Sequence, residues 1–136
     1  MFVTAWIGIV DLNTGAVRCA NAGHEFPAVR RVKGDYEYIK DKHTPPLATI
    51  EGVRPKEYEF KISPGDEIFV YTDGVPEAID KKEQQYGSDR LLSALNREKD
   101  KSLEEMLAGV RENVRVFVGE ADQFDDITML CFRFKG

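Results

Sequence analysis

Residues 2–10, FVTAWIGIV, form an apolar run rich in β-branched and aromatic side chains. Asp11-Leu12-Asn13-Thr14-Gly15 breaks it with turn chemistry, and AVRCANA then resumes an extended pattern, which predicts a hairpin. The first run is apolar on both faces, the pattern of a central strand covered on both sides, yet the sequence opens on it without a preceding element. A second hairpin is predicted from PAVRRV and YEYIK around Lys33-Gly34-Asp35, followed by a Pro-rich connection from Asp41 to Gly52. KEYEFKI alternates with period two, Ser63-Pro64-Gly65-Asp66 makes a turn, and EIFVYT reads as a buried strand. From Ser88 the period changes: Leu91, Leu92 and Leu95 recur at helical spacing, and Ser102 with Glu105 forms a capping box ahead of Met106, Leu107, Val110, Val114 and Val118. Helices are therefore expected over 88–98 and 103–117. The closing DITMLCFRF is a strand with Ile127, Met129 and Cys131 on one face until Arg133 interrupts it, and Leu130, Phe132 and Phe134 on the other. Strands, two helices and a returning strand indicate an α+β layered fold.

Composition narrows this without redirecting it. At 136 residues and 42% hydrophobic content the chain suits one domain, or a piece of one, spanning 1–136. A formal charge of -5 offers no broad attraction to polyanions, which argues against nucleic acid as a partner. No apolar run approaches the ~20 residues that span a bilayer, and the first lacks the basic flank of a signal peptide, so no membrane contact by this segment is expected. Cys19 and Cys131 lie in apolar runs far apart, without CxxC spacing, and read as reduced core thiols of a cytoplasmic protein.

Two acidic sites carry the candidate chemistry. Asp73 and Gly74 stand at the exit of EIFVYT; Asp-Gly often marks a hairpin, but Pro76, two residues on, favours a first helical turn over a partner strand. A carboxylate there, next to a glycine that admits close backbone approach, makes a compact site for a hard cation. Gln123-Phe124-Asp125-Asp126-Ile127-Thr128 begins the last strand, and taken alone its acids read as a solvated turn. If the two strands are antiparallel neighbours, Asp73 and Asp125 meet at one rim, and like charges within ~4–6 Å require a cation. With no His or Cys beside them, an all-oxygen site favours Mg²⁺, Mn²⁺ or Ca²⁺ over Zn²⁺. His24, after Ala22-Gly23, has either a phosphate-contacting or a loop-fixing role. His43 reads as a loop residue, Arg30 and Arg31 as a solvated strand face, and Trp6 as core.

The ordered series Asn21-Ala22-Gly23-His24, Ser63-Pro64-Gly65-Asp66, Tyr71-Thr72-Asp73-Gly74-Val75-Pro76-Glu77-Ala78 and Asp125-Asp126-Ile127-Thr128 resembles the SpoIIE/RsbU-type branch of the PPM, or protein phosphatase 2C-like, superfamily. The resemblance implies an antiparallel β-sandwich flanked by helices in αββα layers, of which this chain is the C-terminal portion with the N-terminal part missing. It implies two Mn²⁺ or Mg²⁺ ions and hydrolysis of phosphoserine or phosphothreonine by a metal-activated water. Carried over by motif, Asp73 and Asp125 are metal ligands, and Gly74 and Asp126 hold them in place through hydrogen bonds or backbone contacts, with Asp126 alternatively a ligand itself. The implied substrate is a bacterial signalling phosphoprotein such as an anti-sigma antagonist, with the upstream half of the same domain and a sensor domain as further partners.

The family's bridging aspartate and a second Asp-Gly element have no counterpart here, so the isolated fragment is expected to be weak or inactive. The alternative is a non-catalytic regulatory or interaction module that keeps the fold. Apolar strand surface left uncovered is expected to favour a homodimer.

Overall fold

The computed structural model describes residues 2–41, 43–121 and 125–136. Gln123 and Phe124, which open the second acidic motif, lie outside the described residues. The chain builds β1 (Ala5–Val10), β2 (Ala16–Ala22), β3 (Ala28–Arg30), β4 (Tyr36–Tyr38), β5 (Glu57–Lys61), β6 (Glu67–Tyr71), α1 (Gly87–Glu98), α2 (Leu103–Val118) and β7 (Met129–Arg133). Two antiparallel sheets result, ordered β1-β2-β5 and β4-β3-β6-β7.

β6 shows why the sheets stack. Phe69 and Tyr71 point to the helices, where they pack with Leu91, Leu95, Met106 and Val110. Ile68, on the opposite face, joins Val17, Cys19, Val29, Ile62 and Phe134 between the sheets. A strand apolar on both sides is thus sandwiched between a second sheet and a helical layer. The two helices form as their spacing predicts. At the start of α2, Ser102 Oγ accepts from the Glu105 amide (3.2 Å) while a Glu105 carboxylate oxygen accepts from the Ser102 amide (3.2 Å), which satisfies two of the helix's orphan donors.

Three sequence readings are corrected. β1 is an edge strand, not a central one: it pairs with β2 alone, and Ile7 and Ile9 on its outer face are 61% and 64% exposed. Its inner face behaves as core, with Trp6 packed against the inter-sheet cluster and its indole N–H donating to the Tyr58 hydroxyl at 2.8 Å. Arg30 does not belong to a solvated face, because it is committed to acids distant in sequence, whereas Arg31 stays exposed as read. The Arg30 side chain, 13% exposed, meets Asp100 (2.8 Å), Glu67 (3.9 Å), the Gly34 carbonyl (3.0 Å) and the Lys99 carbonyl, and so ties the α1–α2 connection to β3. Arg31 pairs with Asp66 at 2.9 Å. Finally, Cys19 is buried but Cys131 only half-buried; both are free thiols, and burial raises the pKa of each, Cys131 to about 11.

Asp66 is the acid of the Ser63–Asp66 turn. Its carboxylate accepts from the Ser63 and Val32 amides, both at 2.9 Å, and from Arg31. Burial alone would raise its pKa, but the Ser63 amide, Arg31 and the Val32 amide together hold it below the usual carboxylate range. A depressed folded-state pKa stabilises the protein above the unfolded value of ~3.9, and that contribution fades as pH falls through the folded value. Asp66→Asn should therefore flatten the acid limb of a stability profile taken by urea unfolding between neutral and low pH. An unchanged acid limb in the variant would refute this role.

Candidate functional site

β6 and β7 lie antiparallel with Tyr71 opposite Met129, so the exit of one strand and the entrance of the other share a sheet end. Thr72 continues the pairing. Its amide donates to the Thr128 carbonyl (3.0 Å), its hydroxyl oxygen accepts from the Thr128 amide (3.1 Å), and its hydroxyl donates to the Asp126 carbonyl (3.2 Å). The chain then turns tightly at the next residue. The Val75 amide reaches the Thr72 carbonyl (3.1 Å) and the Glu77 amide the Asp73 carbonyl (2.9 Å), a single helical turn that is not continued, since α1 begins only at Gly87. Asp-Gly here closes no hairpin, in keeping with Pro76.

Gly74 is buried against the acidic segment. A Cβ built on it would stand 2.2 Å from the Asp126 carbonyl oxygen and 3.6 Å from the Asp125 carbonyl carbon. The glycine is required by proximity of backbone, because its φ is not positive. The structure therefore brings the Asp73-Gly74 turn and the Asp125-Asp126 segment together, with the side chains of Asp73, Asp125 and Asp126 on exposed residues. Asp125 Oδ1 accepts from the Asp126 amide at 2.7 Å. Carboxylate oxygens are the donor type that hard divalent ions take, and the backbone approach at Gly74 sets the two acidic segments side by side. Among the described residues no group of three or more His, Cys, Asp or Glu side chains is disposed to hold a metal.

The Asn21–His24 segment leads into Glu25, which feels the charge of Asp73. Asn21 is buried; its Oδ1 accepts from the His24 amide (2.8 Å) and its carbonyl from the Thr44 hydroxyl (2.9 Å). Asn21 Nδ2 lies 3.1 Å from His43 Nε2. His24 Nδ1 lies 3.1 Å from the Thr4 hydroxyl. His43, read from sequence as a plain loop residue, stacks near Phe26 (4.3 Å between ring centres) and faces Asp41 (3.5 Å), whose buried oxygens find no hydrogen-bond partner among the described residues.

Sequence reasoning missed Glu25. Burial is the largest influence raising its pKa; Asp73 and Glu77 push it further up, and His24 and His43 oppose them. Glu25 thus sits in the field of the Asp73 turn, although 48 positions separate the two in the chain. Its place directly after the Asn-Ala-Gly-His motif was the only signal that could have found it.

A cavity of about 520 Å³ opens from the same rim between the 74–79 turn and the second half of α2, and both Gly74 and Asp125 line it.

Residues 1–135 match the family model described as Stage II sporulation protein E (SpoIIE). The chain belongs to the SpoIIE family. Its paired antiparallel sheets and flanking helices are shared with solved domains of the protein phosphatase 2C type. Among curated proteins, Protein IcfG of Synechocystis sp. is 30% identical over 135 residues, covering 96% of this chain and 20% of IcfG. The SiaA-PP2C domain of Pseudomonas aeruginosa superposes with a TM-score of 0.82 at 22% identity, over 97% of this chain and 52% of that one. The manganese-presoaked phosphatase domain of the cell fate determinant SpoIIE from Bacillus subtilis gives 0.70 at 16% identity, over 97% of this chain and 56% of that one. This SpoIIE-family chain therefore spans a fifth of the curated relative and about half of the solved domains.

Proposed function

We propose that this chain supplies one side of the metal site of a protein serine/threonine phosphatase, with Asp73 and Asp125 as carboxylate ligands of Mn²⁺ or Mg²⁺. The close approach of Gly74 to the Asp126 carbonyl carries the reading, because it fixes two acids from distant parts of the chain at one sheet end. Membership of a family of PP2C-type phosphatase domains supplies the reaction class. When bound, the ions neutralise the phosphate oxygens and lower the pKa of a water, so no cysteine or histidine nucleophile is needed. The raised thiol pKa of Cys19 and Cys131 agrees with that.

The residues of this chain have distinct tasks in such a site. Asp73 and Asp125 bind the cation, while Thr72 and Gly74 hold their backbones in register. Asp126 contributes its carbonyl to the Thr72 hydroxyl and positions the segment. Asn21 shapes the loop that carries His24 and Glu25 beside the rim. Two carboxylates fall well short of the six oxygens that each Mg²⁺ prefers. The remaining ligands are assigned to the part of the family domain that this chain does not span, and the chain alone is expected to hydrolyse phosphate only weakly. The substrate is a phosphoserine or phosphothreonine protein of bacterial signalling, of the anti-sigma antagonist kind, met in the cytoplasm; no helix among the described residues is long and apolar enough to cross a membrane.

The test is Mn²⁺-dependent hydrolysis of a phosphoserine peptide by a longer protein containing this chain. Asp73→Asn and Asp125→Asn should each lower the rate by about 100-fold or more, in keeping with loss of a metal ligand. Variants that keep the parental rate would overturn the ligand assignment. Absence of hydrolysis in the unaltered protein, with phosphoprotein binding retained, would assign the regulatory module instead.

A further inference from the structure

The cavity beside the rim has a construction that metal binding does not explain. Ala78, Ile79, Val114, Val118 and Ile127 give it an apolar lining. Its volume of about 520 Å³ lies within the range of sites that enclose a ligand, and it would admit a large side chain with its flanking backbone. Charge is confined to the walls. Glu77 and Asp125 stand on the side of the acidic rim, while Arg111, Glu112 and Arg115 stand on α2.

The two arginines differ. Arg115 is held bidentately by Glu112, at 2.6 and 2.7 Å, one helical turn away, so its charge is locally neutralised. Arg111 forms no ion pair or hydrogen bond with a described residue, and it is exposed. An unmatched guanidinium over an apolar cavity presents a planar fork suited to a carboxylate, and the attraction strengthens once a ligand excludes water.

We propose that this cavity docks the polypeptide carrying the phosphoryl group, taking an apolar side chain between α2 and the 74–79 turn and an acidic side chain on Arg111. The inference rests on the phosphatase reading for the identity of its ligand. Continuity is the reason to assign the substrate chain to it: Gly74 and Asp125 belong to both the rim and the cavity wall, so a peptide whose phosphorylated residue lies at the rim enters the cavity within a few residues. Charge sets the orientation. An acidic side chain is repelled by Glu77 and drawn to α2, which gives the bound segment a direction as well as a preference.

Unphosphorylated peptides separate docking from catalysis. Two ten-residue peptides, identical in a central leucine and differing in whether two glutamates or two lysines follow it, are titrated into the ¹⁵N-labelled chain and followed by amide shifts. The glutamate peptide should bind about tenfold more tightly than the lysine peptide, the scale of one partly shielded charge contact, with shifts centred on Ala78, Ile79 and Val118. Arg111→Glu should reverse the preference, and Arg111→Lys should keep most of it. Ala108→Trp, which fills the cavity from an exposed position, should weaken both peptides by at least about tenfold. Equal affinity for the two peptides, an unaltered preference in Arg111→Glu, or shifts that map to the Ile7 and Ile9 face would each overturn the proposal. Hydrolysis of an aryl phosphate by the longer wild-type protein reports on the catalytic reading separately, so peptide docking and phosphatase chemistry can fail independently.

Discussion

Replacing Gly74 with alanine is expected to open the rim. The added methyl would lie 2.2 Å from the Asp126 carbonyl oxygen and 3.0 Å from its carbon, and neither is a side chain that can swing aside. Either the Asp73 turn or the Asp125-Asp126 segment must move. Overpacking of this kind costs about 1–3 kcal/mol, and the thermal midpoint should fall by several degrees. The functional loss should be larger in proportion, because the clash falls between the two proposed ligands. A displacement of their supporting backbone predicts a drop in Mn²⁺ affinity of roughly 10–100-fold, the range seen when the supports of metal ligands are removed. Calorimetric melting of the chain and Mn²⁺ titration of a longer protein containing it read the two effects separately. Parental melting together with parental Mn²⁺ affinity would show that the close approach has no role.

The second large effect is expected at Glu67, far from that rim. Its carboxylate, 3% exposed, receives two bonds from Arg133 at 2.7 and 2.9 Å, lies 3.9 Å from Arg30 and accepts from the Tyr36 hydroxyl. Burial, followed by the bond to Glu67, raises the Tyr36 phenol well above its ordinary pKa, so the phenol is the donor and the carboxylate the acceptor. Glu67→Ala would leave the largely buried Arg30 with only Asp100 to answer its charge, and would leave the phenol only the weak Cys131 thiol contact at 3.7 Å. Removing one partner of a buried pair typically costs about 3–5 kcal/mol, a large part of the ~5–15 kcal/mol that holds a domain together. Glu67→Gln keeps the shape and one acceptor, and should cost less. The exposed Lys81–Glu120 pair is the internal control: its removal should change stability by less than about 1 kcal/mol. Urea unfolding of the three variants checks the order. A Glu67→Ala protein within ~1 kcal/mol of the parent would refute the assignment of a stabilising cluster.

What was legible in the sequence follows from the range of the interactions concerned. α1 and α2 could be read because helical spacing and the Ser102–Glu105 box are local. The Asp73 turn could be read because Pro76 stands within the same few residues and argues against a hairpin. Arg30 misled because its acids lie far off along the chain, Glu67 on β6 and Asp100 beyond α1. Glu25 and the Asn21–His43 contact were hidden for the same reason, since neither partner reveals the other along the chain. β1 misled differently. Apolar residues on both faces describe what a strand requires, not what this chain places against it; the inner face is covered by the second sheet, and the outer face carries Ile7 and Ile9 to the surface.

That outer face affects how the molecule behaves in salt. A charge of -5 keeps copies apart only through a field that decays over ~8 Å at physiological ionic strength and ~3 Å at molar salt. Attraction between oily surfaces is not weakened by ions, and sulfate or phosphate strengthens it. A strand edge with unsatisfied amides beside such a surface therefore becomes stickier as buffers grow more concentrated, and the polypeptide is best handled dilute and at low ionic strength unless something else covers β1.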